Sequence, residues 1–297
     1  MAAWAALALC APAWAGASLA WRACDAPTRL SVTEQDRLLQ FASLIRRELA
    51  ASGAQLALIA RSGTDLRRVG QRYSHAGISL AGSDASPWAV RQLYYACDEQ
   101  QPRLFDQGLS GFVMGGDNAA LGFVALWLLP EAPAGALAAT AQDKATALHW
   151  LHPVYSANAH AWSIQYQNCN QWVAELLAAA WAPLDVNSPT PRADAQAWLR
   201  AQGYQPASVN VGWLPLVWVA PLLPWVHNSD HPAADLQQAI YRVSLPESIG
   251  QFVMARHPAT QRIEFCHDER QIVVRRDGPP LPDACTAEAG DTVIPLP

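Results

Sequence analysis

The chain has 297 residues and a formal net charge of −5, with 51% hydrophobic and only 15% charged residues. So much apolar content excludes a disordered or fibrous protein, and the length suits one large domain or two small ones. The scarcity of Lys and Arg excludes a surface built to hold the phosphate backbone of a nucleic acid.

The first 20 residues form an uncharged apolar run, which is typical of a secretory signal peptide. Ala13 and Ala15 place small residues at the spacing that signal peptidase prefers, so we predict a signal peptide over residues 1–15, possibly to residue 20. The alternative is a first helix of the domain, which Pro12 disfavours. We therefore expect the mature protein to be secreted or periplasmic.

The first predicted element of the mature chain is an amphipathic helix. Ser31 followed by Glu34 has the pattern of a capping box, and Gly53 ends the helical pattern. Apolar residues recur between them at helical spacing: Leu38, Phe41, Ala42, Ile45 and Leu49.

Four short apolar segments, each bounded by turn residues, then predict strands over residues 55–60, 73–80, 88–95 and 123–129. The loop at residues 81–84 lets the second and third pair antiparallel. Residues 102–117, rich in Gly and turn residues, are predicted to form an irregular connection.

The rest of the chain is predicted to be mainly helical. Residues 130–139 are predicted to interrupt the regular secondary structure. Helices are predicted after them, over residues 140–151, 170–181, 192–202 and 246–255, and a hairpin closes the chain. We expect an α+β fold in which an antiparallel sheet packs on helices over residues 28–185. A Pro- and Trp-rich C-terminal extension, residues 186–297, is expected to pack on that core.

An apolar stretch at residues 209–226 approaches the length needed to cross a bilayer. Pro215, Pro221 and Pro224 interrupt helical hydrogen bonding too often for a simple span, so we predict no transmembrane span in the mature chain. We expect this segment to pack on the domain surface. An interfacial membrane contact is the alternative, and Trp213, Trp218 and Trp225 could instead stack on sugars.

The cysteine count supports the prediction of a reactive thiol. Six cysteines are present, and removing Cys10 with the signal peptide leaves an odd number. Cys266 and Cys285 flank the closing hairpin and are candidates for one disulfide, and Cys24 and Cys97 are candidates for another. Cys169 then remains as the free thiol, although a merely buried unpaired cysteine is equally compatible with the count.

The position of Cys169 favours a catalytic role for its thiol. Asn168 and Cys169 begin a predicted helix, where the unpaired backbone amides lower the pKa of a thiol and can also bind an oxyanion. A base is still needed. His75 lies in a predicted strand, and Gly77 on the same face leaves room for a substrate or backbone, so we predict a catalytic Cys169–His75 pair.

These two motifs, Tyr-Ser-His-Ala-Gly-Ile and later Asn-Cys-Asn-Gln-Trp-Val, resemble those of the circularly permuted NlpC-type members of the papain-like superfamily. In that superfamily the histidine strand of the permuted members precedes the cysteine helix. The chain also resembles an uncharacterised family of secreted bacterial proteins known only as a domain of unknown function. The resemblance implies a papain-like core and a thiol hydrolase or transferase that acts on an amide, peptide or acyl ester.

The resemblance further implies a polar residue, on the strand after the histidine, that orients the imidazole. Within residues 88–95 only Gln92 offers a suitable acceptor, and Asp98 and Glu99 are alternates just beyond. Tyr166 and Asn168 are candidates for an oxyanion donor or for lining the site. Asp106, Gln107 and Asp117, in the glycine-rich connection, are turn formers first and lining candidates second.

Three further histidines, His149, His152 and His160, have a spacing that matches no common zinc pattern. We therefore predict no metal site and no cofactor, and we expect these side chains to neighbour the loop before Cys169. The sequence does not indicate an oligomeric state.

Two functions follow as expectations. The first is an extracytoplasmic thiol hydrolase or acyltransferase, an amidase- or peptidase-like enzyme, that acts on an amide, peptide or acyl bond in a peptide, glycan or lipid of the cell envelope. The second is an inactive binding or scaffolding module of the same fold that recognises glycan, peptide or a membrane surface.

Overall fold

A computed structural model describes residues 30–185 and 187–296. Over these residues the chain forms an antiparallel sheet of eight strands with helices on both faces, which confirms the predicted α+β class. The strands are β1 Leu56–Arg61, β2 His75–Leu80, β3 Ala89–Ala96, β4 Gln101–Gln107, β5 Gly122–Leu128, β6 Ala207–Asn210, β7 Ile240–Val243, β8 Gln261–His267, β9 Gln271–Arg276 and β10 Thr292–Pro295. The α-helices are α1 Val32–Ala51, α2 Leu109–Met114, α3 Glu131–Gln142, α4 Lys144–His149, α5 Cys169–Trp181, α6 Pro191–Ala201, α7 Leu214–Val219, α8 Ala233–Gln237 and α9 Pro246–Arg256.

Helix α1 begins at the predicted capping box. The Ser31 side chain accepts a hydrogen bond from the Glu34 backbone, and the Glu34 carboxylate accepts one from the Ser31 backbone. The apolar residues predicted for its inner face are buried. The helix is thereby capped at its N-terminus and anchored along one side.

The strand order in the large sheet is β10-β9-β8-β5-β1-β2-β3-β4. β2 pairs antiparallel with β3, as predicted, and β8 pairs with β5 along its whole length. Three strands from the predicted C-terminal extension therefore belong to the same sheet as the strands that precede residue 186. β6 and β7 form a separate two-stranded ribbon.

Two segments differ from the prediction. Residues 102–117 contain the edge strand β4 and the short helix α2, because an edge strand tolerates polar, exposed positions that a buried strand does not. Residues 130–139 are the start of helix α3 and not a break. Pro130 is its N-cap and Pro133 lies in its first turn, where a missing backbone N–H costs no helical hydrogen bond.

Alternation along the strands defines two faces of the sheet. Leu58, Ile78 and Leu93 lie on the face covered by α3, α5 and α9, here called the α5 face. Ile59 and Val90 lie on the opposite face, which α1 and α2 cover and which we call the α1 face. The side of the sheet on which a strand residue lies therefore decides which helices it meets.

The structure confirms the disulfide between Cys266 and Cys285. Cys97 is also disulfide-bonded, while Cys24, its predicted partner, lies outside the described residues, as does the predicted signal peptide. Disulfides persist in oxidising compartments, so the bridges are compatible with an extracytoplasmic location. None of the helices in the described ranges is long and apolar enough to cross a membrane.

The Trp-rich segment packs on the domain in part. Val217 and Trp225 are buried, but Trp213, Trp218 and Leu222 are exposed. All six residues of α7 are apolar, so packing one side of this helix against the domain leaves the other sides exposed.

Candidate active site

The predicted contact between His75 and Gln92 is present. His75 opens strand β2, Gln92 lies on β3, and the His75 Nε2 to Gln92 Oε1 distance is 2.8 Å. Gln92 is fully buried and His75 exposes only 7% of its surface. Gly77 permits this approach, because a side chain there would overlap Val90 and crowd Gln92.

Gln107 fixes the direction of that hydrogen bond. The Gln92 Nε2 donates to Gln107 Oε1 at 2.6 Å, so Gln92 Oε1 is the atom that meets the imidazole. Because this oxygen can only accept, the proton of neutral His75 lies on Nε2 and Nδ1 keeps a lone pair. Nδ1 has no hydrogen-bond partner in the described part of the chain and is not shut off from solvent. His75 is therefore held in the tautomer that can accept a proton.

Aromatic and cationic groups surround this histidine on the α1 face. Its ring stacks on Tyr94, with centroids 4.7 Å apart, and meets Phe112 of α2 at 5.9 Å. Burial first and the Arg61 guanidinium second lower the pKa of His75 to about 3, against a smaller opposite effect of the Gln92 hydrogen bond. His75 is consequently a neutral imidazole at physiological pH.

Cys169 is the first residue of helix α5, as predicted. Asn168 is the N-cap, and its side-chain oxygen accepts a hydrogen bond of 2.7 Å from the Gln171 backbone. This cap uses the Gln171 N–H and leaves the N–H groups of Cys169 and Asn170 directed at the sulfur, where both favour the thiolate. Cys169 is the free cysteine of the described residues.

The sulfur also meets a residue that the sequence did not single out. Tyr155, in the irregular loop before α5, places its hydroxyl against the sulfur of Cys169. Burial raises the pKa of the thiol to about 11, against the lowering effects of the Asn170 N–H, the Arg61 guanidinium, its own N–H and the Tyr155 hydroxyl. Cys169 is therefore a neutral thiol at physiological pH.

The two halves of the predicted pair meet at one end of the sheet but from opposite sides. The Asn170 side chain donates a 3.0 Å hydrogen bond to the Ser74 carbonyl, which joins the start of α5 to the residue before His75. The Cys169 side chain packs in the core of the α5 face, whereas His75 points to the α1 face. No hydrogen bond joins His75 to Cys169 in the described ranges.

A buried ionic network holds the loop that leads to Cys169. Glu175, on the second turn of α5, accepts hydrogen bonds from Arg192, Gln167 and Gln196. Arg192 also donates to the carbonyls of Ile164 and Tyr166, each at 2.8 Å. The network therefore ties helices α5 and α6 to the residues just before the nucleophile candidate.

The other predicted site residues have different neighbours. The Asn168 amide caps α5 and also donates to the Ala157 carbonyl, and the Tyr166 hydroxyl pairs with Ser229. Glu99 accepts hydrogen bonds from Gln101 and Arg103 and none from His75. These contacts hold loops together and do not direct a donor at the Cys169 sulfur.

His149, His152 and His160 have different surroundings. His149 ends α4, His152 bonds the Val154 backbone, and His160 lies against His231. Across residues 30–185 and 187–296 no group of three or more His, Cys, Asp and Glu side chains is arranged to hold a metal ion.

Acid is expected to destabilise the fold through its buried histidines. Burial lowers the pKa of His75 to about 3 and that of His267 to about 4, so the unfolded chain takes up these protons first as the pH falls below 6.5. Each should cost about 2 kcal/mol of unfolding free energy between pH 7 and pH 4.5. Thermal or urea unfolding at both pH values measures this loss.

A matched pair of variants isolates His75. Over this pH interval His75→Gln should lose less stability than the wild-type chain. His149→Gln, which changes an exposed residue, should lose as much stability as the wild-type chain. Equal losses in all three proteins would contradict the assignment.

Comparison with known proteins places the chain in a family but names no activity. No curated protein and no solved structure matches it. A family model described as "Uncharacterized protein conserved in bacteria (DUF2145)" matches residues 48–253, which include β2, β3 and α5. The chain therefore belongs to the DUF2145 family of uncharacterised bacterial proteins, in agreement with the predicted domain of unknown function.

Proposed function

We propose that this protein is an extracytoplasmic thiol hydrolase or acyltransferase of permuted papain-like fold, with Cys169 as its nucleophile. The observation that carries the proposal is the Cys169 sulfur at the N-terminus of α5, with two backbone N–H groups directed at it. The same N–H groups would stabilise the oxyanion that forms when the sulfur attacks a carbonyl. The substrate class is an amide, peptide or acyl ester, and no cofactor is needed.

His75 is the proposed base. The sulfur forms a bond to the carbonyl carbon while the thiol proton passes to His75 Nδ1, and this proton then goes to the amine or alcohol as the C–N or C–O bond breaks. Water, deprotonated in turn by His75, then attacks the thioester carbon; the C–S bond breaks and His75 returns the proton to the Cys169 sulfur. Another amine or alcohol in place of water gives acyl transfer. Because the two side chains lie on different faces and Gln92 holds the imidazole, a water molecule must carry the proton between them.

Gln92 is the proposed positioning residue, because its hydrogen bond keeps the Nδ1 lone pair free. Tyr155 donates to the sulfur and so favours the thiolate. Tyr166 and Asn168 shape the loop and the helix cap around the nucleophile.

The test is formation of an acyl-enzyme. The full chain is incubated with p-nitrophenyl esters and p-nitroanilides of short and long acyl groups, and product release is followed together with intact mass. We expect a burst of product and one acyl group bound to the peptide that contains Cys169. Cys169→Ser should show neither the burst nor the thioester.

The control is Cys169→Ser, which keeps the disulfides and is reacted at the same concentration. Hydrolysis that is equally fast in the wild-type chain and in Cys169→Ser, or the lack of an adduct with every substrate, would refute the proposal.

A second candidate function is recognition of glycan, peptide or a membrane surface without turnover. The placement of His75 and Cys169 on opposite faces of the sheet favours it, because no direct proton transfer joins them. It predicts binding to murein or lipid vesicles that survives Cys169→Ala, with no release of product.

A further inference from the structure

The segment around helix α7 presents a protruding apolar surface, which we call the tryptophan patch. Its members share high exposure and lack of charge: Trp213, Leu214, Leu216, Trp218, Val219 and Leu222. From this surface we infer that the protein docks peripherally on an uncharged, zwitterionic lipid bilayer. This inference stands independently of the proposed catalysis.

The exposure of the patch is unusual for a folded domain. Trp218 exposes 72% of its surface and Leu222 exposes 82%, and the two are separated by a single turn of chain. Isolated exposed apolar residues need no explanation, but a contiguous group marks a surface that is covered in use. Indole rings favour the boundary between hydrocarbon and headgroups, since one part of the ring is apolar and the N–H is polar.

The absence of charge in the patch indicates which kind of surface it binds. No Asp, Glu, Lys or Arg occurs between Arg200 and Asp230, so nothing in the patch must be desolvated as a charge when it enters a bilayer interface. The whole chain carries a net charge of −5, which opposes binding to an acidic surface. The patch is therefore expected to bind a lipid interface without net charge, through apolar contact.

The patch is anchored to the rest of the domain at Val217. Val217, the one buried residue of α7, anchors the helix, and its carbonyl accepts a 2.6 Å hydrogen bond from the Asn228 side chain. Pro215, in the first turn of α7, and Pro221, just after its end, restrict the backbone of this segment. Little conformational entropy is lost when a surface of this kind docks.

A second copy of the chain is a poorer occupant. Stable protein interfaces use about 20–30 residues on each side and carry a polar rim. The patch consists of six apolar side chains on a helix of six residues and the residues next to it. Shallow insertion into a lipid surface needs no more than this.

The chain that follows the patch connects through packed aromatic rings to the candidate active site. Trp225, which follows it, accepts a hydrogen bond at its carbonyl from Ala157 and lies 6.3 Å from Tyr95. Tyr95 stacks on Tyr155 at 5.3 Å, and Tyr155 meets the Cys169 sulfur. Docking would therefore bring the Cys169 end of the sheet toward the lipid surface.

The experiment is flotation of the full chain with phosphatidylcholine vesicles, with and without added phosphatidylglycerol, at low and high salt. We expect binding to pure phosphatidylcholine that does not increase with the anionic lipid and does not fall with salt. Trp213→Ser with Trp218→Ser should lower the partition coefficient by tenfold or more, on the order expected from the lost apolar area.

Control variants separate this effect from exposed apolar area in general. Leu39→Ser with Leu148→Ser removes exposed leucines elsewhere and should leave binding unchanged, as should Cys169→Ser. Sedimentation velocity of the free protein tests the other occupant. The inference would be overturned if the tryptophan substitutions left flotation unchanged or if binding required anionic lipid. A dimer that the tryptophan substitutions abolish would also overturn it. Acyl transfer without vesicle binding would overturn it and leave the proposed function intact.

Discussion

His75→Ala is expected to lower kcat/KM for acyl transfer by about 10³-fold, within the range that general-base catalysis contributes. The physical reason is that Cys169 is a neutral thiol whose pKa burial raises to about 11, so little thiolate exists without a proton acceptor at physiological pH. Steady-state rates with the best ester from the acyl-enzyme screen measure the effect. The acyl-enzyme should still form slowly, because Cys169 remains in place.

The matched control is His149→Ala, which removes an exposed imidazole on α4 and should leave kcat/KM unchanged. A His75→Ala protein that unfolds at the wild-type temperature and retains full activity would show that another group takes the thiol proton.

Gln92 offers a sharper test of the same arrangement, because it acts through His75. Gln92→Glu places a carboxylate against His75 Nε2, which should raise the pKa of the imidazole from about 3 and move the acidic limb of the pH profile of kcat/KM to higher pH. A merely structural role for Gln92 would change the rate without moving that limb.

Much of this arrangement could be predicted because local patterns determine it. The capping box at Ser31 and the helical spacing that follows it specify α1, and the Asn168–Cys169 pair marks the start of α5. Alternation within β2 and β3 places His75 and Gln92 on one face, so their contact was also predictable.

The side of the sheet on which His75 lies could not be predicted. It depends on which helices cover each face, and that is decided by packing between segments far apart in sequence, such as α2 against β3 and α5 against β2. Tyr155 was missed for a related reason. It lies in an irregular loop, where no periodic pattern distinguishes a residue that points inward from one that points outward.

The second large effect is expected at Glu175, whose replacement by alanine should lower the free energy of unfolding by about 3–5 kcal/mol. Glu175 is fully buried, and Arg192, whose side chain is 8% exposed, would remain as an uncompensated buried charge. Gln167 and Gln196 would each lose a hydrogen bond as well. Urea unfolding at neutral pH measures the difference.

An exposed ion pair provides the control. Asp65 and Arg67 expose about half of their side chains, and Asp65→Ala should therefore cost far less stability than Glu175→Ala. A cost for Glu175→Ala as small as that of Asp65→Ala would mean that Arg192 finds water or another partner when the carboxylate is removed.

Replacing both partners separates charge from packing. Glu175→Leu with Arg192→Leu leaves no unpaired buried charge, so it should recover much of the stability that Glu175→Ala loses. It should not recover acyl transfer, because Arg192 also holds the carbonyls of Ile164 and Tyr166 just before the nucleophile. A stable double variant with low activity would therefore assign the network to positioning Cys169. A stable double variant with full activity would assign it to folding alone.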